Sequence, residues 1–410
     1  MKNIIVGQSG GPTAVINASI AGVYKKAKEL GIKKVYGMVY GIEGLINDNI
    51  IELEEYLNNN KNYELLKRTP GAFLGSCRYK LPKVEDNKEV YEKIFNILDK
   101  YEIDGFFYAG GNDSMDTVKM LSDYAKENNK KQVFIGIPKT IDNDLPITDH
   151  CPGYGSAAKY VATSLREIIR DNASFGKSRL TVCIVEIMGR HTGWLTAASA
   201  LSKNDSCEGV DAIYLPENVF DIDEFVNNIK ELSNHKSSIV VAVSEGVKTK
   251  DGKFVCEISN DNRKVDNFGH KQLSGTASTL ADIVAEQTGF KTRAIELSTL
   301  QRAASHISSL TDVTEAEHAG MKAVEEANKN NTGVMVIFER KNTKKYSIKE
   351  SIYDIHNIAN VEKMIPKEWI DSKNHQMKQA YIDYALPLIQ GELLPIYKDG
   401  LPVHLIRKDK

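Results

Sequence analysis

The sequence predicts an α/β fold with mainly parallel sheets in two domains, and three observations carry that expectation. Short β-rich runs alternate with longer stretches of helical period, the pattern of a parallel sheet wrapped by helices on both faces. Most of the early strands run into Gly, Pro or Asp. The same grammar restarts near Thr181, and 410 residues are too many for one ordinary core.

Taken in order, a short apolar strand, Asn3 to Gly7, leads into a helix from Ala14 to Glu29. Strand Lys34 to Val39, helix Asn87 to Lys100, strand Gly105 to Tyr108, helix Met115 to Asn128 and strand Val133 to Ile137 continue the alternation. The second set runs strand Thr181 to Ile187, helix from Thr192, strand Ala212 to Leu215, helix from Asp223, strand Ser238 to Val243 and helix from Gln272. After Thr311 come a helix, Val313 to Asn328, and a strand, Gly333 to Phe338. A polar, Lys-rich tail follows, in which Tyr384 to Tyr397 reads as packed. There is no internal repeat and no low-complexity linker.

Composition narrows the function classes. Lys and Arg number 53 against 55 Asp and Glu, so no global field favours nucleic acid or an anionic membrane. Any anion site must be local. Cys77, Cys151, Cys183, Cys207 and Cys256 are odd in number, scattered and without a CxxC pair, which argues against a disulfide framework and a zinc cage. The opening MKNIIVGQSGG shows no signal-peptide core, and no apolar run approaches the ~18 residues of a membrane span. A soluble, cytoplasmic protein is expected.

In open parallel sheets ligands sit outside the carboxyl ends of the strands, so the loops that follow strands matter most. Gln8 to Ile20, QSGGPTAVINASI, puts two glycines between a strand and a helix start. Bare backbone N–H groups and a helix dipole can hold a phosphate there, but a tight turn also needs glycine. Ala109 to Thr117, AGGNDSMDT, repeats the glycine pair and adds Asn112 and Asp113. Asp113 reads either as a helix N-cap or, with the Asn112 carbonyl, as a hard oxygen donor for a metal that bridges phosphates.

The stretch from Ile137 to Lys159 gathers Lys139, Asp142 and Asp144 within six residues. A hydroxyl that attacks phosphorus must lose a proton, and a positioned aspartate accepts it; a lysine beside it neutralises phosphoryl oxygens. In extended backbone Asp142 and Asp144 share one face. A surface cluster of Asx turns is the other reading.

Together, SGG (Ser9 to Gly11), FLGSCR (Phe73 to Arg78), GGNDS (Gly110 to Ser114), TIDND (Thr140 to Asp144), VEIMGR (Val185 to Arg190), SEG (Ser244 to Gly246) and LQR (Leu300 to Arg302) resemble the phosphofructokinase family in order and spacing. The resemblance runs from Met1 to roughly Asp312. It implies two Rossmann-like domains with mainly parallel sheets, the phosphofructokinase fold, plus a C-terminal extension. Residues 1–150 with about 301–345 would form a phosphoryl-donor domain, 151–300 a sugar-phosphate domain, and about 346–410 an extension packed on the core.

By the same resemblance Asp142 takes the proton from the sugar C1 hydroxyl, in a catalytic group with Lys139, Asp113 and Asp144. Thr140 helps hold the transferring group. Met188, Gly189 and Arg190 line the sugar-phosphate pocket, Glu245 binds sugar hydroxyls and Arg302 the 6-phosphate. Gly11, Arg78, Ile141 and Thr299 complete the substrate contacts, and Arg293 reaches the 6-phosphate in a neighbouring subunit. Each role suits its residue: arginines clamp phosphate by parallel bonds, and carboxylates accept from hydroxyls.

Donor choice turns on two positions. ATP-using bacterial members resemble GGDGS and PGTIDND here, whereas this chain has Asp113 and Lys139 in place of the two glycines. That resembles the pyrophosphate-dependent branch. An aspartate at 113 fills and charges the space an α-phosphate needs, while Lys139 supplies a cation for compact pyrophosphate. The implied reaction is reversible transfer from Mg2+-pyrophosphate to fructose 6-phosphate, giving fructose 1,6-bisphosphate and phosphate.

Three positions depart from the family's pattern. Asn112 stands where many relatives place a magnesium-binding aspartate, and remains the expected metal residue as a weaker, neutral ligand. The arginine before the VEIMGR strand is displaced, Arg179 being nearest, and Ala21 replaces an effector-site arginine, which predicts little effector control. Partners are expected to be pyrophosphate and fructose 6-phosphate, with no nucleic acid and no membrane, in a homodimer or homotetramer. An ATP-dependent phosphofructokinase and a silent regulatory paralogue are the alternatives. A nicotinamide-binding dehydrogenase fits poorly, since no GxGxxG follows the first strand.

Overall fold

A computed structural model describes residues 1–175, 180–258, 273–359 and 361–408. Two sheets organise these residues, with strands largely where alternation places them. The larger has seven strands in the spatial order Ile348–Asp354, Val334–Arg340, Val133–Pro138, Ile103–Gly110, Asn3–Gln8, Lys34–Met38, Ile50–Glu52. The five inner strands are parallel and both edge strands antiparallel. The smaller sheet is parallel throughout, in the order Ala212–Tyr214, Ser238–Ser244, Thr181–Ile187, Lys291–Glu296.

Burial explains the strand sequences. Asn3–Gln8 and Thr181–Ile187 are central and buried along their whole length, so they read as nearly continuous apolar runs. Helices cover both faces of the large sheet. Lys88–Lys100 starts at Asn87, whose side chain accepts from the Val90 N–H, and turns Tyr91, Ile94, Phe95 and Leu98 inward. On the other face Ile16–Glu29 crosses Leu310–Asn328 at two glycines. A Cβ on Gly22 would sit 1.9 Å from the Glu317 carbonyl oxygen, and one on Gly320 2.0 Å from that of Ser19. The helices therefore pack backbone against backbone.

Several expectations are corrected. The stretch read as a loop as far as Lys159 ends earlier, at Gly153, where a twenty-residue helix, Tyr154–Ala173, begins. Its first N–H groups find their acceptor far away: the buried Asp312 carboxylate accepts from Gly153 and Ser156. Strand Lys291–Glu296 went unread because its sequence, KTRAIE, is half charged and partly exposed. The helix expected from Thr192 is only Trp194–Ala197, continued by a 3-10 turn, Ala198–Ser202. The start expected at Gln272 lies outside the described residues, and the helix runs Thr276–Thr288. Arg179 also lies outside them.

The tail is largely ordered onto the body. Ile348–Asp354 extends the large sheet, and Tyr381, Tyr384, Ala385 and Leu388 are buried against the second core. The packed reading of Tyr384 to Tyr397 holds for its first half, whereas Leu394 and Tyr397 are exposed. Among the described residues Cys77, Cys151, Cys183 and Cys207 form no disulfide. No helix among the described residues is long and apolar enough to cross a membrane.

Candidate active site

Parallel strands point their carboxyl ends from both sheets at one cleft of about 620 Å³. In the large sheet the chain leaves Asn3–Gln8 for Lys34–Met38 on one side and later enters Ile103–Gly110 on the other. That reversal splays the loops after Gln8 and Gly110 and opens a crevice between them.

The loop after the first strand lines one wall with Gly10 and Gly11. Gly10 has φ +73°, and a Cβ on Gly11 would come within 2.8 Å of Nη1 of Arg302, so glycine here lets a guanidinium lie against bare backbone. Opposite, helix Asn112–Glu127 begins at the cleft with Gly111 as its N-cap and no side-chain cap. Asp113 is thus a first-turn residue and not the cap; it is exposed to the cleft. Oδ1 of Asn112 is buried with no hydrogen-bond partner. An orphaned amide oxygen on a residue that lines this cleft suits a magnesium ion that would take its remaining ligands from substrate oxygens and water. Among the described residues no cluster of three or more His, Cys, Asp or Glu forms a cage for a metal.

The third loop carries the densest chemistry. Lys139 is only 4% exposed, and its Nζ donates to the Gly11 carbonyl at 2.8 Å. Burial lowers its pKa to about 8 against the opposing pull of Asp142 and Asp144. Thr140 Oγ1 donates to Asp142 Oδ2 at 3.1 Å and accepts the Asp142 N–H at 3.0 Å, which orients the carboxylate. Extended backbone was expected between the two aspartates. Instead Asn143 adopts φ +55°, a left-handed turn that Asn tolerates, and is fully buried. Its side chain donates to Tyr384 Oη and accepts from the Cys151 N–H. Asp142 and Asp144 still both line the cleft. Burial, then the nearby Asp142 and Glu362, push Asp144 up to about 7.

The second sheet supplies the far wall. Met188 and Arg190 follow strand Thr181–Ile187, and Glu245 follows Ser238–Ser244. Burial pushes Glu245 up to about 8, while the Gly189 N–H, 3.5 Å from its Oε1, opposes that shift. Arg78 and Arg302 bring guanidinium groups in from two other segments. Burial and the neighbouring Arg78 lower the pKa of Arg302.

Of the residues singled out by sequence, the cleft gathers Gly11, Arg78, Asn112, Asp113, Lys139, Thr140, Ile141, Asp142, Asp144, Met188, Arg190, Glu245 and Arg302. Gly189 stands just behind it, accepting from Ser244 Oγ. Thr299 is exposed, and its carbonyl starts the turn that carries Arg302. Arg293 lies elsewhere, beside Asp171 at 3.6 Å and over the Phe175 ring, on the surface. Glu362 and His191 line the cleft unforeseen. Adjacency to VEIMGR was the available signal for His191; nothing local marks Glu362, which arrives from the tail.

The phosphofructokinase family model matches residues 3–327. The pyrophosphate--fructose 6-phosphate 1-phosphotransferase of Methylococcus capsulatus is 38% identical over 98% of this chain and 94% of its own length. The crystal structure of a pyrophosphate-dependent phosphofructokinase from Nitrosospira multiformis superposes with TM-score 0.88 at 37% identity, covering 98% of this chain and 95% of that one. The Marinobacter aquaeolei pyrophosphate-dependent phosphofructokinase gives TM-score 0.87 at 35% identity, covering 100% and 98%.

Proposed function

The chain belongs to the phosphofructokinase family, and from that premise we propose that it transfers a phosphoryl group reversibly from pyrophosphate to the C1 hydroxyl of fructose 6-phosphate. The products are fructose 1,6-bisphosphate and phosphate. The observation that carries the donor choice is that Asp113 and Lys139 both line the one cleft. Asp113 puts a carboxylate where a nucleotide's α-phosphate would extend, and Lys139 offers its charge to a compact diphosphate.

The residues divide the work by position. Backbone around Gly10 and Gly11, the start of helix Asn112–Glu127 and Lys139 hold pyrophosphate. Met188, Arg190, Glu245 and Arg302 hold the sugar phosphate, with arginine forks on the 6-phosphate and the carboxylate on sugar hydroxyls. Asp142 accepts the C1 hydroxyl proton as that oxygen bonds to phosphorus; the bond to the bridging oxygen of pyrophosphate breaks and phosphate leaves. Thr140 keeps one carboxylate oxygen occupied, which leaves the other for the substrate. Lys139 and Arg78 balance the charge on the transferring group. A magnesium ion, held by Asn112 Oδ1 and by pyrophosphate oxygens, would supply further charge neutralisation.

The division of the chain into a donor unit, 1–150 with about 301–345, an acceptor unit, 151–300, and a tail from about 346 belongs to the same reading. So do a cytoplasmic location and a homodimer or homotetramer, in which the surface Arg293 serves a neighbouring subunit's sugar phosphate. Supplying fructose 1,6-bisphosphate, phosphate and magnesium without any nucleotide tests the reaction in reverse. Phosphorus NMR should then show pyrophosphate appearing with fructose 6-phosphate. No pyrophosphate, in a preparation that does make fructose 1,6-bisphosphate from a nucleotide, would overturn the assignment.

A further inference from the structure

The catalytic loop is held from outside by the tail, and the holding contacts are specific. Lys363 donates its main-chain N–H to the Asp144 carbonyl at 2.7 Å, and its Nζ to the carbonyls of Thr148 and Asp149 at 3.1 and 2.9 Å. One side chain thus ties two points on the return of the loop that bears Asp142. Its own carbonyl accepts the Trp194 indole N–H at 2.7 Å, and its ammonium lies 5.2 Å from the centre of that ring. Trp194 opens the helix that follows the Met188–Arg190 turn, so the same residue also touches the acceptor wall. Next to it, Ile365 and Gly193 donate their N–H groups to one oxygen of the half-buried Glu217 carboxylate.

A second tail residue acts at the turn itself. Tyr384 Oη accepts from Asn143, the left-handed residue between the two aspartates, and donates to the Asp149 carbonyl at 2.8 Å. Lys363 and Tyr384 together satisfy backbone and amide groups that would otherwise be buried without partners. Neither side chain lines the cleft.

We propose that Lys363 and Tyr384 are positioning residues: the tail fixes the height and tilt of Asp142 against the acceptor loop, and turnover depends on it. The proposal rests on Asp142 being the base. Displacing a reacting group by about 1 Å is enough to cost about 100-fold in rate, so loosening the loop should appear in kcat. Substrate contacts on the glycine loops and arginines are untouched, so KM should change little.

The test compares Lys363→Met and Tyr384→Phe in two backgrounds, wild type and Asp142→Asn, with pyrophosphate and fructose 6-phosphate as substrates. In the wild-type background each should lower kcat about 10- to 100-fold, with either KM within about threefold. In the Asp142→Asn background, where there is no base left to position, each should lower the residual rate less than about threefold. Equal losses in both backgrounds would mean a general structural role and overturn the proposal, as would wild-type kcat in both single variants. If Lys363→Met does not fold, the milder Tyr384→Phe decides alone. A near-normal rate for Asp142→Asn by itself would sink the base assignment, and with it the claim that these residues act through Asp142.

Discussion

Asp142 and Lys139 sit side by side in one loop yet face opposite demands. As the proposed base, Asp142 would have to be an anion to accept a proton, and Thr140 holds one of its oxygens in place. Asp142→Asn keeps size and shape but abolishes the acceptor, so kcat should fall about 100- to 10,000-fold, the usual scale for a positioned base. Fructose 6-phosphate binding, measured by calorimetry, should stay within about threefold. Lys139 must be a cation, and burial has brought its pKa down to about 8. The charge is complete well below pH 8 and is lost as pH rises through it, so kcat/KM for pyrophosphate should fall above about pH 8. At saturating pyrophosphate the bound anion favours the protonated amine, and the alkaline limb of kcat should lie higher.

These residues were legible in sequence because one strand-end loop carries them together in TIDND and its preceding lysine. Lys363 and Glu362 were not, because each reaches the loop from the tail with no local pattern.

At the scale of elements, the crossing of Ile16–Glu29 and Leu310–Asn328 brings backbone against backbone at both glycines. Neither Gly22 nor Gly320 can accept a Cβ without moving the opposing backbone. In an exposed helix Gly→Ala stabilises by about 1 kcal/mol. Here overpacking should prevail: Gly22→Ala should lower stability to chemical denaturation by about 1–3 kcal/mol or more. Unchanged or raised stability would show that the helices can separate freely.

Elements were read correctly where burial and sequence period agree, as in Lys88–Lys100 and Thr181–Ile187. They were missed where tertiary contacts replace local signals. Tyr154–Ala173 has no cap of its own and borrows Asp312; Lys291–Glu296 lies at a sheet edge, where charge is tolerated. The turn at Asn143 needed its buried partners to be visible.

Across the whole molecule, a buried ionic network joins the catalytic loop, helix Leu310–Asn328 and the tail. His150 is 1% exposed, with Asp149 at 2.8 Å on Nδ1 and Glu315 at 2.7 Å on Nε2; Arg340 pairs with Asp149, and Tyr346 donates to Glu315. The two carboxylates outweigh burial and raise His150 from 6.5 to about 9. A raised pKa means this stabilisation is fully present below pH 6.5 and is lost as pH climbs through about 9. Thermal midpoints should therefore decline over that interval. His150→Gln should flatten the decline and destabilise by about 3–5 kcal/mol at neutral pH, since it leaves the buried Glu315 carboxylate without its cation while Asp149 keeps only Arg340. A steeper decline in the variant would contradict this.

The central claim concerns what this assembled cleft accepts as a donor. The most direct measurement is the initial rate of fructose 1,6-bisphosphate formation from fructose 6-phosphate and magnesium, with pyrophosphate or ATP supplied alone at equal concentration. The cleft bounded by Asp113 and Lys139 predicts rapid turnover with pyrophosphate and at least about 100-fold less with ATP, the scale on which a misplaced charge discriminates. Turnover with ATP that equals or exceeds the rate with pyrophosphate would contradict it.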